Sequence, residues 1–161
     1  MRKFVFSIFL CLISYTATAY QSEPDGFRGI KWGSSSKSLS KEFTMVDKGS
    51  YYKKNEKLKI GGAKLEFVGY MFYKNKFYTG AVKTKGKENK SALIAAFKSK
   101  FGKPTNDDKS GNMSWYGKKA SITLNCNMFT HRCLALIQST QISLKLSADK
   151  KKEAESGKND F

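Results

Sequence analysis

The stretch LKIGGAKLEFVGYMFYKNKFYTGAVKT, Leu58 to Thr84, is dense in aromatic and β-branched residues that recur at a period of two, a pattern that suits a pleated strand and not a helix. From Ala63 to Tyr73, Ala63, Leu65, Phe67, Gly69, Met71 and Tyr73 fall on one face, and Lys64, Glu66, Val68, Tyr70 and Phe72 on the other. Lys74-Asn75 interrupts the run, and asparagine tolerates the left-handed backbone of a tight turn. The partner strand resumes at Phe77 and continues through Val82, with Tyr73 expected near Phe77. Because Val68, Tyr70 and Phe72 share the charged face, that face needs a cover as well, either a helix or a second layer. Gly69 and Gly80 mark bends, bulges or points of close backbone approach.

The clearest cover is a helix. Asn89 is its N-cap candidate, and Leu93, Phe97 and Phe101 form a stripe four residues apart, backed by Ala92 and Ala96. Gly102 and Pro104 supply the stop. Upstream, residues 20–26 form a polar leader. Phe27 to Gly33 reads as a short strand ending in a glycine turn, and Ser34 to Ser36 offer caps for a short helix through Phe43, with Leu39 and Phe43 toward the sheet. Strands are expected near Thr44 and Ser50. Downstream, after a loop from Thr105 to Asn112, come strands at Ser114 to Tyr116, Ala120 to Asn125, and Cys133 to Thr140, the last running on to Leu146. The fold class is α+β, a mostly antiparallel sheet of about six to seven strands with two helices packed on one face and one disulfide. Residues 27–146 make the domain, and the polar stretch 147–161 is expected as a disordered or frayed helical tail.

Residues 1–19 read as an export signal. Arg2 and Lys3 precede an apolar run from Phe4 to Tyr15, and Ala17-Thr18-Ala19 offers a cleavage site, so the mature chain is expected to start at Tyr20, periplasmic or secreted. The apolar run is too short to span a bilayer, so no transmembrane segment is expected in the mature chain. Cys11 lies in mid-run, preceded by Leu10, which does not suit lipidation. Cleavage leaves Cys126 and Cys133, an even pair in an oxidising compartment, read as a disulfide tying two antiparallel strands across NMFTHR. A metal or redox site would need closer CxxC spacing and further ligands.

Three segments, GFRGIKWG at Gly26 to Gly33, YKKNEKLKIGGAKLEFVGYMFYKNKF at Tyr52 to Phe77, and FGKP at Phe101 to Pro104 followed by the Trp115 strand, together resemble a set of small secreted bacterial proteins. The resemblance implies an α/β type of fold and an envelope location. Its glycines and aromatics are structural in type, so it implies no active-site residues.

No catalytic constellation is legible. His131 is the single histidine, which excludes His-rich zinc sites and leaves one residue for any Ser-His-Asp arrangement. The more ordinary reading is a solvated loop histidine, or a contact residue together with Met128, Phe129 and Arg132. Gly61-Gly62 lacks the flanks of a phosphate-binding loop and reads as a turn. Asp107-Asp108 fits no EF-hand spacing. Among Glu42, Glu56, Glu66 and Glu88, nothing singles out a pair for glycoside hydrolysis. No metal or cofactor is expected.

Charge carries the functional signal. Of thirty Lys and Arg, loss of Arg2 and Lys3 leaves twenty-eight against thirteen acids, net +15. Residues 48–103 alone hold fifteen lysines against Glu56, Glu66 and Glu88, net +12. Such a field favours an acidic protein or an anionic envelope component. The candidate patch is Lys53, Lys54, Lys57, Lys74, Lys76, Lys85 and Lys87. Nucleic acid is the weaker partner, because only Arg28 and Arg132 remain for bidentate recognition after export. The expectation is a non-enzymatic binding protein, with an inhibitor or immunity protein as its concrete version. The alternative is a small hydrolase of envelope polymers, which would require titratable side chains to meet in a concave pocket. Oligomeric state is not written in the sequence.

Overall fold

The structure is a computed structural model that describes residues 21–108 and 110–156. The expected export signal and the end of the polar tail lie outside the described residues. The elements in chain order are β1 (Gly26–Phe27), β2 (Ile30–Lys31), a 3-10 turn (Ser36–Ser38), β3 (Phe43–Asp47), β4 (Ser50–Lys53), β5 (Lys59–Ile60), β6 (Ala63–Lys64), β7 (Phe67–Tyr73), β8 (Lys76–Lys85), α1 (Lys87–Phe101), β9 (Asn106–Asp107), β10 (Met113–Tyr116), β11 (Ala120–Cys126), β12 (Arg132–Ser139) and α2 (Thr140–Ser156). One antiparallel sheet of eight strands runs in the order β3-β4-β7-β8-β12-β11-β10-β9, and β1–β2 and β5–β6 are separate two-stranded ribbons. The class is α+β, with more strands than the sequence suggested.

The hairpin sits at the middle of the sheet. Lys74 and Asn75 have φ of 46° and 65°, the paired positive values of a type I′ turn. A two-residue loop of that kind closes Tyr73 on Lys76 and Phe72 on Phe77, which leaves Tyr73 one position along the ladder from the Phe77 expected near it. The register shifts once between Met71 and Phe72, and the Phe72 and Phe77 rings meet at 5.2 Å in the core. The preceding stretch is not one strand. Ala63 and Leu65 are buried, and burial then changes phase to Val68, Tyr70 and Phe72. The break at Glu66 separates β6, paired with β5, from β7, paired with β4 and β8.

α1 buries Leu93, Phe97 and Phe101, and Phe97 and Phe101 lie 6.0 and 6.3 Å from the ring of Trp115. The cap is Gly86, with φ of 98°, and not Asn89. Asn89 works one turn in: its amide donates to the Lys85 carbonyl at 2.9 Å, and its Oδ1 accepts the Lys64 amide at 3.0 Å. The two ribbons complete the cover. Phe27 rests where a Cβ on Gly80 would overlap its ring, and Gly61 turns beneath α1, where an added Cβ would approach the Ala96 methyl to 2.9 Å. Gly61-Gly62 therefore serves close packing.

Two expectations are corrected by hydrogen bonding. The serine run forms a 3-10 turn and not a helix through Phe43, because the serine side chains bind locally and across. The Ser35 hydroxyl accepts both the Lys37 amide and the Asn75 side-chain amide, and Ser38 Oγ donates to the Ser35 carbonyl. β12 ends at Ser139 and does not run to Leu146, since the Thr140 amide and hydroxyl donate to the carbonyls of Lys119 and Gly117. From there α2 continues to Ser156, through the start of the stretch expected to be disordered or frayed. Ile142, Leu144 and Leu146 alternate as a strand would, but in the helix Ile142 and Leu146 are half-buried and Leu144 faces out. The second helix is therefore α2 and not the serine-capped segment; it contributes no residue to the core cluster and is held at the hairpin-turn end, where Asp149 accepts from Tyr73 at 2.6 Å and Lys74 at 2.7 Å.

Candidate functional site

β11 and β12 end opposite each other at Cys126 and Cys133, which are bonded at 2.07 Å, as their spacing predicts. Beyond the bridge the loop is braced from within. The Asn127 amide donates to the Arg132 carbonyl at 2.9 Å, and Asn127 Oδ1 accepts the amides of Phe129 and Thr130 at 2.9 and 2.8 Å. His131 reverses the chain with φ of 52°, and its carbonyl accepts the Gly86 amide at 3.1 Å, which seats the loop against the start of α1. These bonds leave Met128 56% exposed and Phe129 93% exposed at the tip. An aromatic ring on a braced loop is an exception to the burial of large apolar groups. His131 is only half-buried, but its Nδ1 is shielded and has no hydrogen-bond partner among the described residues.

Replacing both Cys126 and Cys133 by serine should lower stability by about 2.5 kcal/mol, the chain-entropy value for so short a closed segment. Denaturant melts of the variant and of the reduced parent should agree.

A groove of 810 Å³ opens beside the loop, lined among others by Glu66, Lys83, Asn125, Met128, Phe129 and Arg132. Arg132 pairs in register with Lys85, Lys87 opens α1, and Lys90 reaches the Cys126 side, where both would crowd a Cβ on Gly111. The cations Lys83, Lys85, Lys87, Lys90 and Arg132 thus ring the base of the loop. The sequence pattern picked out Lys85, Lys87 and the loop residues but passed over Lys83 and Lys90, which sit inside a strand and a helix where periodicity marks only a solvent face.

The lysines nominated from sequence do not form one patch. Lys74 and Lys76 lie at the hairpin turn, about 30 Å along β8 from Lys85. Lys74 is paired with Asp149, and Lys53 with Glu42 at 3.3 Å. Lys54 and Lys57 lie on the connection between β4 and β5.

Of the glutamates singled out from the sequence, Glu56 and Glu66 both line an open pocket of 480 Å³ beside β4 and β7. Glu66 also lines the loop groove, Glu42 is paired with Lys53, Glu88 stands in the first turn of α1, and Asp107 is paired with Lys98. Asp108 accepts bonds from Ser110 and Asn112, which hold its pKa down at about 2. Glu56 is the exception in burial. It lines a separate cavity of 420 Å³ with Arg28, where its Oε1 accepts Arg28 Nη1 at 2.6 Å and its Oε2 accepts the Tyr70 hydroxyl. Burial alone would raise the Glu56 pKa, but the Tyr70 hydroxyl and Arg28 outweigh it and hold the carboxyl below its ordinary value. The Tyr70 phenol is pushed up, by burial first and by Glu56 second. A carboxylate held ionised, beside a phenol held neutral and an arginine that also donates to the carbonyls of Lys57 and Lys59, is a clamp across three segments. It does not have the raised pKa of a general acid.

Among the described residues no cluster of three His, Cys, Asp or Glu is placed to hold a metal, and no helix is long and apolar enough to cross a membrane. Neither protein-family models, nor characterised proteins compared by sequence, nor solved structures match this chain.

Proposed function

We infer that this chain is an exported, non-enzymatic binding protein that engages an acidic partner, with the disulfide loop and the cations at its base as the contact. The observation that carries the reading is Phe129, 93% exposed on a loop braced by the bridge and by Asn127. A braced loop loses little conformational freedom on association, so its exposed ring acts as a preorganised anchor. The surrounding cations Lys83, Lys85, Lys87 and Arg132 make no ion pair among the described residues and are available to an anionic surface. Against the hydrolase stands the engagement of Glu56 by Arg28 and Tyr70.

Retention on immobilised poly-glutamate tests the charge half of this reading. Replacing Lys83, Lys85, Lys87 and Arg132 by glutamine should weaken retention roughly thirtyfold at low salt, taking about 0.5 kcal/mol per exposed charge. The same change at Lys53, Lys54, Lys74 and Lys76 should do less, because two of those ammonium groups already have carboxylate partners. Equal loss from both quadruple variants would reduce the charge to a general solubilising field. Intact mass tests export: the recovered chain should begin at Tyr20 and carry no free thiol.

A further inference from the structure

We propose that the partner surface is an anionic lipid headgroup layer, into which Met128 and Phe129 insert while Lys83, Lys85, Lys87, Lys90 and Arg132 contact the headgroups; this rests on the binding reading above and names its partner class. The geometry is the argument. Apolar side chains project from the tip of one loop, and the cations sit one loop-depth behind them at the bridge. An interfacial element sinks its apolar side about 5–10 Å into the headgroup boundary, and two or three extended residues from the bridge to the tip can reach about 7–10 Å.

A protein partner is less well served by this arrangement. A protein would have to supply a pocket closing fully around Phe129, whereas a lipid layer takes up a ring standing at 93% exposure on a projecting loop without a matched pocket. The charge near the loop is also mostly positive. Glu66 lines the groove, Asp108 is bonded to groove-lining Ser110 and Asn112, and Glu88 stands in the first turn of α1, against Lys83 and Arg132 in the groove and Lys85, Lys87 and Lys90 beside it. An anionic leaflet attracts every cation in such a ring without requiring matched positions. Neither feature requires a membrane-spanning helix, and none is present among the described residues.

The test is co-sedimentation of the chain from Tyr20 onward, which contains every described element, with extruded vesicles of phosphatidylcholine alone or with equimolar phosphatidylglycerol. Binding should require phosphatidylglycerol and fall with salt. Phe129→Ser should weaken it about tenfold, and each of Arg132→Gln and Lys83→Gln about fivefold. Far-ultraviolet circular dichroism and the melting temperature should be unchanged, since these side chains leave the core intact. Phe129→Trp supplies a readout against the parent, whose Trp32 and Trp115 set the background: the added emission should shift to the blue on anionic vesicles and be quenched by lipids brominated near the headgroup. Binding without that shift would overturn insertion, leaving adsorption by charge. If vesicles are ignored while poly-glutamate still retains the protein, the lipid assignment falls and the acidic-partner reading stands. If both are ignored, both fall.

Discussion

Phe97→Ala is expected to lower the unfolding free energy by about 3–5 kcal/mol, a large share of the margin by which a domain of this size stays folded. Phe97 is almost wholly buried on α1, with the Phe101 ring at 5.5 Å and the Trp115 ring at 6.0 Å. Truncation would leave a void that neither neighbour can fill, because Trp115 is fixed by its indole N–H, which donates to the Gly102 carbonyl at 3.0 Å. That same glycine ends the helix, its amide donating to the Lys98 carbonyl at 2.9 Å. Urea melts followed by tryptophan fluorescence, with Trp32 and Trp115 as the emitters, should show the loss. A melt within a couple of degrees of the parent would mean that α1 is not seated on β10 as described.

Arg28→Asn should cost about 2–3 kcal/mol at neutral pH, somewhat below the roughly 3–5 kcal/mol for breaking a fully buried pair, because both side chains keep some contact with water. Asparagine is the informative replacement, since Arg28 has φ of 49° and asparagine holds that conformation more readily than most residues. The loss then reports the guanidinium, which bonds Glu56, the Lys57 carbonyl and the Lys59 carbonyl. Its pH dependence follows from Glu56, whose folded pKa lies below the ordinary value. A depressed carboxylate stabilises the fold above its unfolded pKa of about 4.3, and that contribution is lost as pH falls through the folded value. The gap between parent and variant should therefore be largest at neutral pH and narrow in acid, and Glu56→Gln should remove the dependence. A gap that stays constant with pH would assign the role of Arg28 to the two carbonyls alone.

What the sequence determined by itself was whatever depends on near neighbours. The two-residue turn at Lys74-Asn75, the Leu93, Phe97, Phe101 stripe and the Cys126–Cys133 bridge are each set within a few positions, by backbone preference, helical spacing or chain closure. Local pattern misled where two periods coincide. Ile142 and Leu146 satisfy both strand and helix spacing, Leu144 only that of a strand, and the choice fell to the bonds that Thr140 makes to Gly117 and Lys119 on a neighbouring turn. The serine run was misread for a related reason, since Asn75, forty positions from Ser35, supplies the bond that holds it as a 3-10 turn.

Tertiary structure alone decided the electrostatics. Arg28 and Tyr70 lie 28 and 14 positions from Glu56, so no spacing rule could join them into a clamp. The lysines counted as one field divide between the two ends of β8, where Lys74 is neutralised by Asp149, 75 positions along the chain, while Lys85 meets Arg132 across the sheet. Net charge is a sum over residues and can be read from composition; where that charge stands unpaired depends on which distant carboxylates the fold brings within reach, because a charge pair is governed by separation in space and not along the chain.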